Sequence, residues 1–329
     1  MAGKLIDGFG RRISYVRLSV TDRCDLRCRY CMGEQMQFMP SDALLTFAEI
    51  EILADLLIAR GVSKLRLTGG EPLVRRGLLD LIASLGLRVG HGLGELTLTT
   101  NGTQLSGAAE QLAASGIRRI NVSLDSLDSD RFAHITRRGR LDQVLAGIAA
   151  AKRAGLKIKI NMVALAGLND HEIEPMLRWC ADEGFDLTLI ETMPLGEVED
   201  DRTEHYLSLD RVRRRLEDRY TLVPSLASTG GPARYVDVAE LGVRLGFITP
   251  ISDNFCTGCN RIRVSASGTV YGCLGHDQKV ELRDLLRSGD MEGAGRALDA
   301  LVASKPRRHA FEIAAETPAV ERHMSVTGG

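Results

Sequence analysis

The stretch that decides the fold is Tyr15-Val16-Arg17-Leu18-Ser19-Val20-Thr21-Asp22-Arg23-Cys24-Asp25-Leu26-Arg27-Cys28-Arg29-Tyr30-Cys31. Residues 15–20 are rich in apolar and β-branched side chains and read as a strand. The chain then enters a loop spaced Cys24-x3-Cys28-x2-Cys31. Three thiols this close let one loop wrap a single inorganic cluster, because thiolates are the soft ligands that hold iron–sulfur centres. Three ligands serve three irons of a cubane and leave the fourth open to chelate a small molecule. Structural zinc takes four protein ligands, and no His or fourth Cys lies nearby in the sequence. Arg23, Arg27 and Arg29 interleave the cysteines and are expected to favour thiolate over thiol.

Outward from this loop, an apolar run, a loop and an amphipathic helix repeat. Strands are expected at 15–20, 64–68, 95–99, 119–123, 157–163 and 186–191, with helices at 48–60, 78–85, 107–115, 141–154 and 172–182. Thr46 with Glu49, and Asn169 with Glu172, have the spacing of a helix N-terminal capping box. Six strands alternating with helices imply an α/β chain with a parallel sheet. Periodicity does not separate a doubly wound sheet from a curved partial barrel. Either architecture binds ligands beyond the carboxyl ends of its strands. The repeat dissolves after Pro194. A basic helical run follows at 211–219, with short strands at 242–248, 262–265 and 268–271 and a soft boundary near Leu209.

Several strand ends carry polar motifs. In Gly69-Gly70-Glu71-Pro72 the glycines permit close backbone approach to a ligand, and Glu71 is suited to receive an ammonium. Thr99-Thr100-Asn101-Gly102 is equally a plain turn. After the fourth strand, Ser123 or Asp125 is placed for ribose hydroxyls, and Asp125 or Ser126 for a helix cap. Lys159 shares a strand face with Lys157 and Asn161 and needs a partner if that face is interior.

A second group reads Cys256-x2-Cys259-x13-Cys273, extended by His276 to a respectable zinc set. Spacing alone leaves zinc and iron–sulfur open. Arg261 and Arg263 follow on one strand face, where guanidinium forks suit a phosphorylated or purine ligand beside an open iron. Cys180 stands alone and reads as a core thiol.

Formal net charge is −1, so no polycationic surface suits nucleic acid or an anionic membrane, and an anionic substrate must be held by local cations. No apolar run approaches the roughly 18 residues of a membrane span. Lys4, Asp7, Arg11 and Arg12 interrupt any signal-peptide core, so a cytoplasmic location is expected.

Cys-x3-Cys-x2-Cys with Tyr30 before the last cysteine resembles the signature of the radical S-adenosylmethionine (SAM) superfamily. Residues 10–24, 64–72, 246–252 and 260–263, with both cysteine groups and the closing Gly328-Gly329, are similar to the GTP 3′,8-cyclase family of molybdenum cofactor biosynthesis. The resemblance implies a partial (β/α)6 barrel over residues 1–209. A smaller C-terminal iron–sulfur domain and Gly-Gly tail would occupy 210–329. It implies two [4Fe–4S] clusters, on Cys24, Cys28 and Cys31 and on Cys256, Cys259 and Cys273. Tyr30, Gly70, Ser123 and Met193 would contact SAM. Arg17, Arg66, Thr99, Lys159, Arg261 and Arg263 would bind GTP, and Arg261, Arg263, Gly328 and Gly329 would serve catalysis.

The implied reaction is removal of the ribose 3′ hydrogen of GTP by a deoxyadenosyl radical, then attack of C3′ on guanine C8. The product is 3′,8-cyclo-7,8-dihydro-GTP. A flavodoxin- or ferredoxin-like electron donor and a following molybdopterin-pathway enzyme are the implied partners. Oligomeric state stays open, a homodimer included. One departure is Thr188, where the family commonly has a phosphate-binding arginine. The alternatives are a peptide-modifying radical SAM enzyme and a non-enzymatic zinc-bearing scaffold or electron-transfer module; a peptide modifier usually carries more C-terminal cysteines.

Overall fold

The computed structural model describes residues 3–198, 203–313 and 318–328. Six parallel strands run in sequence order: β1 (Tyr15–Ser19), β2 (Lys64–Thr68), β3 (Glu95–Thr100), β4 (Arg119–Ser123), β5 (Lys157–Val163) and β6 (Asp186–Ile190). The helices between them are α1 (Phe47–Ala59), α2 (Leu78–Gly86), α3 (Leu105–Ala114), α4 (Ser129–Thr136), α5 (Leu141–Arg153) and α6 (Ile173–Glu183). Strand alternation assigns the two faces. Leu65, Leu67, Leu96, Leu98, Ile120 and Val122 pack into the hydrophobic core and are at most 1 % exposed. The other face carries Arg17, Arg66, Asn121 and Lys159, which line one common cavity. The sheet therefore curves around a polar interior, the partial (β/α)6 barrel of an α/β fold.

The rest of the chain extends this sheet on both sides. After α7 (Leu209–Glu217) come β7 (Leu222–Pro224), β8 (Arg234–Val238) and β9 (Val243–Ile248), and β9 pairs in parallel with β6. The chain then crosses to the other edge, where β10 (Arg261–Val264) pairs in parallel with β1. β11 (Thr269–Tyr271) and β12 (Lys279–Glu281) continue that edge, followed by α8 (Arg283–Ser288), α9 (Met291–Ala303) and α10 (Met324–Thr327). Among the described residues no helix is long and apolar enough to cross a membrane.

Local signals mostly behave as expected. Thr46 and Glu49 form a reciprocal capping box on α1. Asn169 and Glu172 do not: Asn169 Oδ1 accepts from the Leu165 amide, and Glu172 is drawn to Ser126, Leu127 and Arg131. The helix that follows β4 is capped by Asp128, whose side chain accepts from the Arg131 amide, and not by Asp125 or Ser126. Cys180 is fully buried in the core, where burial raises its thiol pKa.

Candidate functional site

The two cysteine trios lie at opposite ends of the barrel. The first follows the carboxyl end of β1. Cys259 precedes the amino end of β10, which runs parallel to β1, so the second trio sits at the other end.

Backbone contacts build the first loop. Gly70 N donates to Thr21 O at 2.8 Å and Glu71 N to Arg23 O at 2.8 Å. A Cβ on Gly69 would lie 2.2 Å from Thr21 O, and one on Gly70 would lie 2.3 Å from Arg23 O. The close approach these glycines permit here is to the cysteine loop itself. Glu71 does not reach out for an ammonium. Both its oxygens accept bonds, from Thr100 Oγ1, Leu73 N and Asn101 N, and burial pushes its pKa up to about 7. Asn101 in turn bonds Asp25 at 2.7 Å, within the first trio's loop. Tyr30 Oη donates to Asp125 at 2.6 Å, and Val163 N donates to the other Asp125 oxygen at 2.8 Å.

Burial dominates the thiols. It pushes Cys24 and Cys31 up to about 12 and Cys28 well above its ordinary value. The interleaved arginines do not reverse this: Arg27 Nη1 bonds the carbonyls of Cys24 and Leu26, and Arg29 Nε bonds His134 O. A cationic metal centre among these three sulfurs would favour their thiolate forms, which fits a cluster held by all three.

The second trio opens into the barrel cavity. Cys256, Cys259 and Cys273 line it together with Arg17, Arg66, Lys159, Met193, Arg261 and Arg263. Arg66 Nη1 reaches Thr99 Oγ1 at 3.5 Å. His276 is turned away; its Nε2 lies 3.0 Å from Arg308 O, in a separate surface groove. Among the described residues no three His, Cys, Asp or Glu side chains close on a single ion's position, and the Cys3His zinc arrangement is not formed. Cys259 differs from the first trio: burial raises its pKa, but Arg261, Lys305 and Arg11 together bring it below its ordinary value.

Positive charge is concentrated in and beside the cavity. Burial lowers Arg17 to about 10 and Lys64 to about 8, and depresses Lys159 and Arg263 strongly, with neighbouring cations adding to each. Buried Arg17 Nε and Arg66 Nε have no hydrogen-bond partner among the described residues. Such cations are costly unless an anion arrives. Thr188 is fully buried, and its Oγ1 is also unpartnered.

Tyr30, Gly70 and Ser123 lie at the strand ends around the first trio, outside the residues lining this cavity. The tail joins the two ends. The Ser325 amide donates to the Cys31 sulfur, Met324 lines the cavity, and Arg263 donates to the carbonyls of Thr327 and Gly328. Gly328 has φ 74°, and a Cβ there would lie 2.1 Å from Thr68; Gly329 lies outside the described residues. Sequence reading missed Lys305, which lines the cavity, and the Glu95-paired cations Lys64 and Arg119 on β2 and β4. The inward alternation of Lys64 with Arg66, and of Arg119 with Asn121, was the available signal.

Residues 18–180 match the family model of the Radical SAM superfamily, and residues 185–311 match Molybdenum Cofactor Synthesis C. The chain is 59% identical over 330 residues to a GTP 3′,8-cyclase of Erythrobacter litoralis, covering 100% of this chain and 99% of that one. It is 56% identical to a GTP 3′,8-cyclase of Rhizobium meliloti, covering 99% and 94% respectively. Among solved structures it resembles Streptococcus suis SuiB bound to S-adenosylmethionine, with TM-score 0.62 and 17% identity over 95% of this chain and 77% of that one. That likeness concerns the fold. With two relatives this similar along their whole length, and with both cysteine trios placed around one barrel, the chain belongs to the GTP 3′,8-cyclase family of the radical SAM superfamily.

Proposed function

We propose that this chain binds GTP in the barrel cavity and converts it to 3′,8-cyclo-7,8-dihydro-GTP for molybdenum cofactor biosynthesis. One observation carries the reading: buried arginines whose Nε atoms lack a hydrogen-bond partner, Arg17 and Arg66, and the second trio of thiols face the same cavity. A nucleotide lying there puts its phosphates among cations and its base beside the thiols.

Cys24, Cys28 and Cys31 would hold one [4Fe–4S] cluster, and Cys256, Cys259 and Cys273 a second. Tyr30, Gly70, Ser123 and Met193 would seat SAM. When bound, SAM and the first cluster supply the one-electron chemistry that starts the reaction. Arg17, Arg66, Thr99 and Lys159 hold the triphosphate and ribose, fixing the sugar against the base. Arg261 and Arg263 orient the guanine, and one of them helps deliver a proton to the cyclised product. The cavity walls exclude water from the radical. Gly328 and Gly329 would take part in catalysis. We place the boundary between barrel and C-terminal region near Leu209, and the enzyme in the cytoplasm. A flavodoxin- or ferredoxin-like carrier would supply its electrons, and a second molybdopterin enzyme would consume its product.

The test is anaerobic reconstitution with SAM, reductant and GTP. Expected are deoxyadenosine and a cyclised product of unchanged nucleotide mass, with about eight irons per chain. Stoichiometric zinc without sulfide, or no product from GTP, would overturn the reading.

A further inference from the structure

At the end of the barrel that carries the second trio, Thr229 occupies an unusual position. Its carbonyl oxygen accepts from Lys64 Nζ at 2.5 Å and from Arg119 Nη2 at 3.3 Å. Its hydroxyl lies 3.0 Å from Tyr235 Oη, which accepts from Lys159 Nζ at 2.9 Å. Cations from β2 and β4 thus meet on one uncharged residue, and the β5 cation Lys159 reaches it through Tyr235. Thr229 also lines the cavity, and Gly230 follows it with φ 66°.

Charge is badly balanced here. Lys64 and Arg119 share one carboxylate, Glu95, at 3.0 Å from Lys64 and in a short ion pair with Arg119. Asp186, at the start of β6, is engaged by Arg244 on the neighbouring β9. A neutral carbonyl is a weak acceptor for cations in a low-dielectric interior, and a phosphate oxygen is a far stronger one. The loop therefore stands where an anionic oxygen belongs.

We propose that Arg119 is a ligand of the substrate's terminal phosphate, and that Thr229 holds its place until the nucleotide displaces it. This rests on the cavity being the GTP site. Arg119 shares a strand face of β4 with cavity-lining Asn121; it does not itself line the cavity, and it meets the lining through the Thr229 carbonyl. Its fork can grip one phosphate while still leaning on Glu95. Thr188 on β6 offers a hydroxyl and no charge, so β4 supplies the arginine that this wall otherwise lacks. A triphosphate reaches this position and a diphosphate stops short of it, which makes Arg119 a determinant of the preference for three phosphates.

The experiment measures GTP and GDP binding to the anaerobically reconstituted holoenzyme by calorimetry, for wild type, Arg119→Ala, Arg119→Lys and Glu95→Gln. Arg119→Ala should lose about tenfold or more in GTP affinity and stay within about twofold for GDP. Arg119→Lys, which keeps the charge without the fork, should lose less and serves if the alanine variant does not fold. Glu95→Gln should leave GTP binding equal or tighter. Amide exchange across residues 228–231 should rise with GTP and not with GDP. An unchanged GTP-to-GDP ratio in both Arg119 variants overturns the inference. So does an equal loss in Glu95→Gln, which would make the ion pair merely structural. In both cases cyclised product from wild type shows that the cyclase reading survives; wild type that takes up neither nucleotide ends both.

Discussion

Arg11 Nη1 donates to the carbonyl oxygen of Cys256 at 2.8 Å, tying the start of the chain to the loop of the second trio. The same guanidinium reaches the carbonyls of Arg307 and Pro306 and pairs with Asp7 at 2.5 Å. Arg322 repeats the device from the other terminus, bonding the carbonyls of Cys273, Leu274 and His276. Neither arginine reaches into the cavity. Each satisfies loop carbonyls that must turn away from solvent to present sulfur inward.

Arg11→Ala therefore removes a buried ion pair and three carbonyl partners. We expect a stability loss of about 3–5 kcal/mol and selective loss of the second cluster. Iron should fall from about eight to about four per chain while SAM cleavage continues. Thermal melting and iron analysis check this; full iron content in the variant would refute it.

Glu95 gives the barrel an acid limit. Burial alone would raise its carboxyl, but Arg119 and Lys64 win and hold it at about 2. A folded value below the unfolded one stabilises fully above pH 4.5, and that stability drains away as pH falls toward 2. With the side chain 29 % exposed, about 1–2 kcal/mol is at stake after solvent screening. Denaturant midpoints of wild type and Glu95→Gln should differ near neutrality and converge at low pH; parallel curves would show that the pair contributes no pH dependence.

Gly70→Ala places a methyl 2.3 Å from the Arg23 carbonyl, which is backbone and cannot swing aside. The cost is about 1–3 kcal/mol of overpacking, focused on the first cysteine loop. SAM cleavage should vanish and the first cluster be lost. GTP binding should persist, since no Gly70 contact reaches the cavity lining; retained SAM cleavage would contradict the packing argument.

The trios should fail separately. Cys24→Ser should abolish SAM cleavage and leave GTP binding measurable. Cys259→Ser should leave SAM cleavage intact and lose GTP turnover. Equal defects in both would mean that the two ends do not act as distinct sites.

Much of the barrel was legible because each strand carries its own period. The six expected strands match β1 to β6 to within one residue at either end. What escaped was set by distant partners. α4 is short and polar, and its cap depends on Asp128 lying where Glu172 has drawn Ser126 away. β7 and β12 are only three residues long, and they and the five-residue β8 take their place by pairing at sheet edges formed elsewhere in the chain. In the site, cysteines and arginines announced themselves by spacing. Lys305, which bonds the Gly272 carbonyl beside Cys273, and the carbonyl grips of Arg11 and Arg322 have no local pattern at all. The partners of Glu71 were hidden for the same reason, since Thr100 and Asn101 are about thirty residues away.

The route of the chain after β6 has a mechanical result. By zipping first onto one flank of the central strands and then onto the opposite flank, the final third clasps the first two-thirds like a buckle. A polypeptide cut short before β9 would leave β1 and β6 with raw, unpaired margins, which invite clumping. Ribosomal synthesis must therefore run nearly to completion before the staves of this vessel can be hooped.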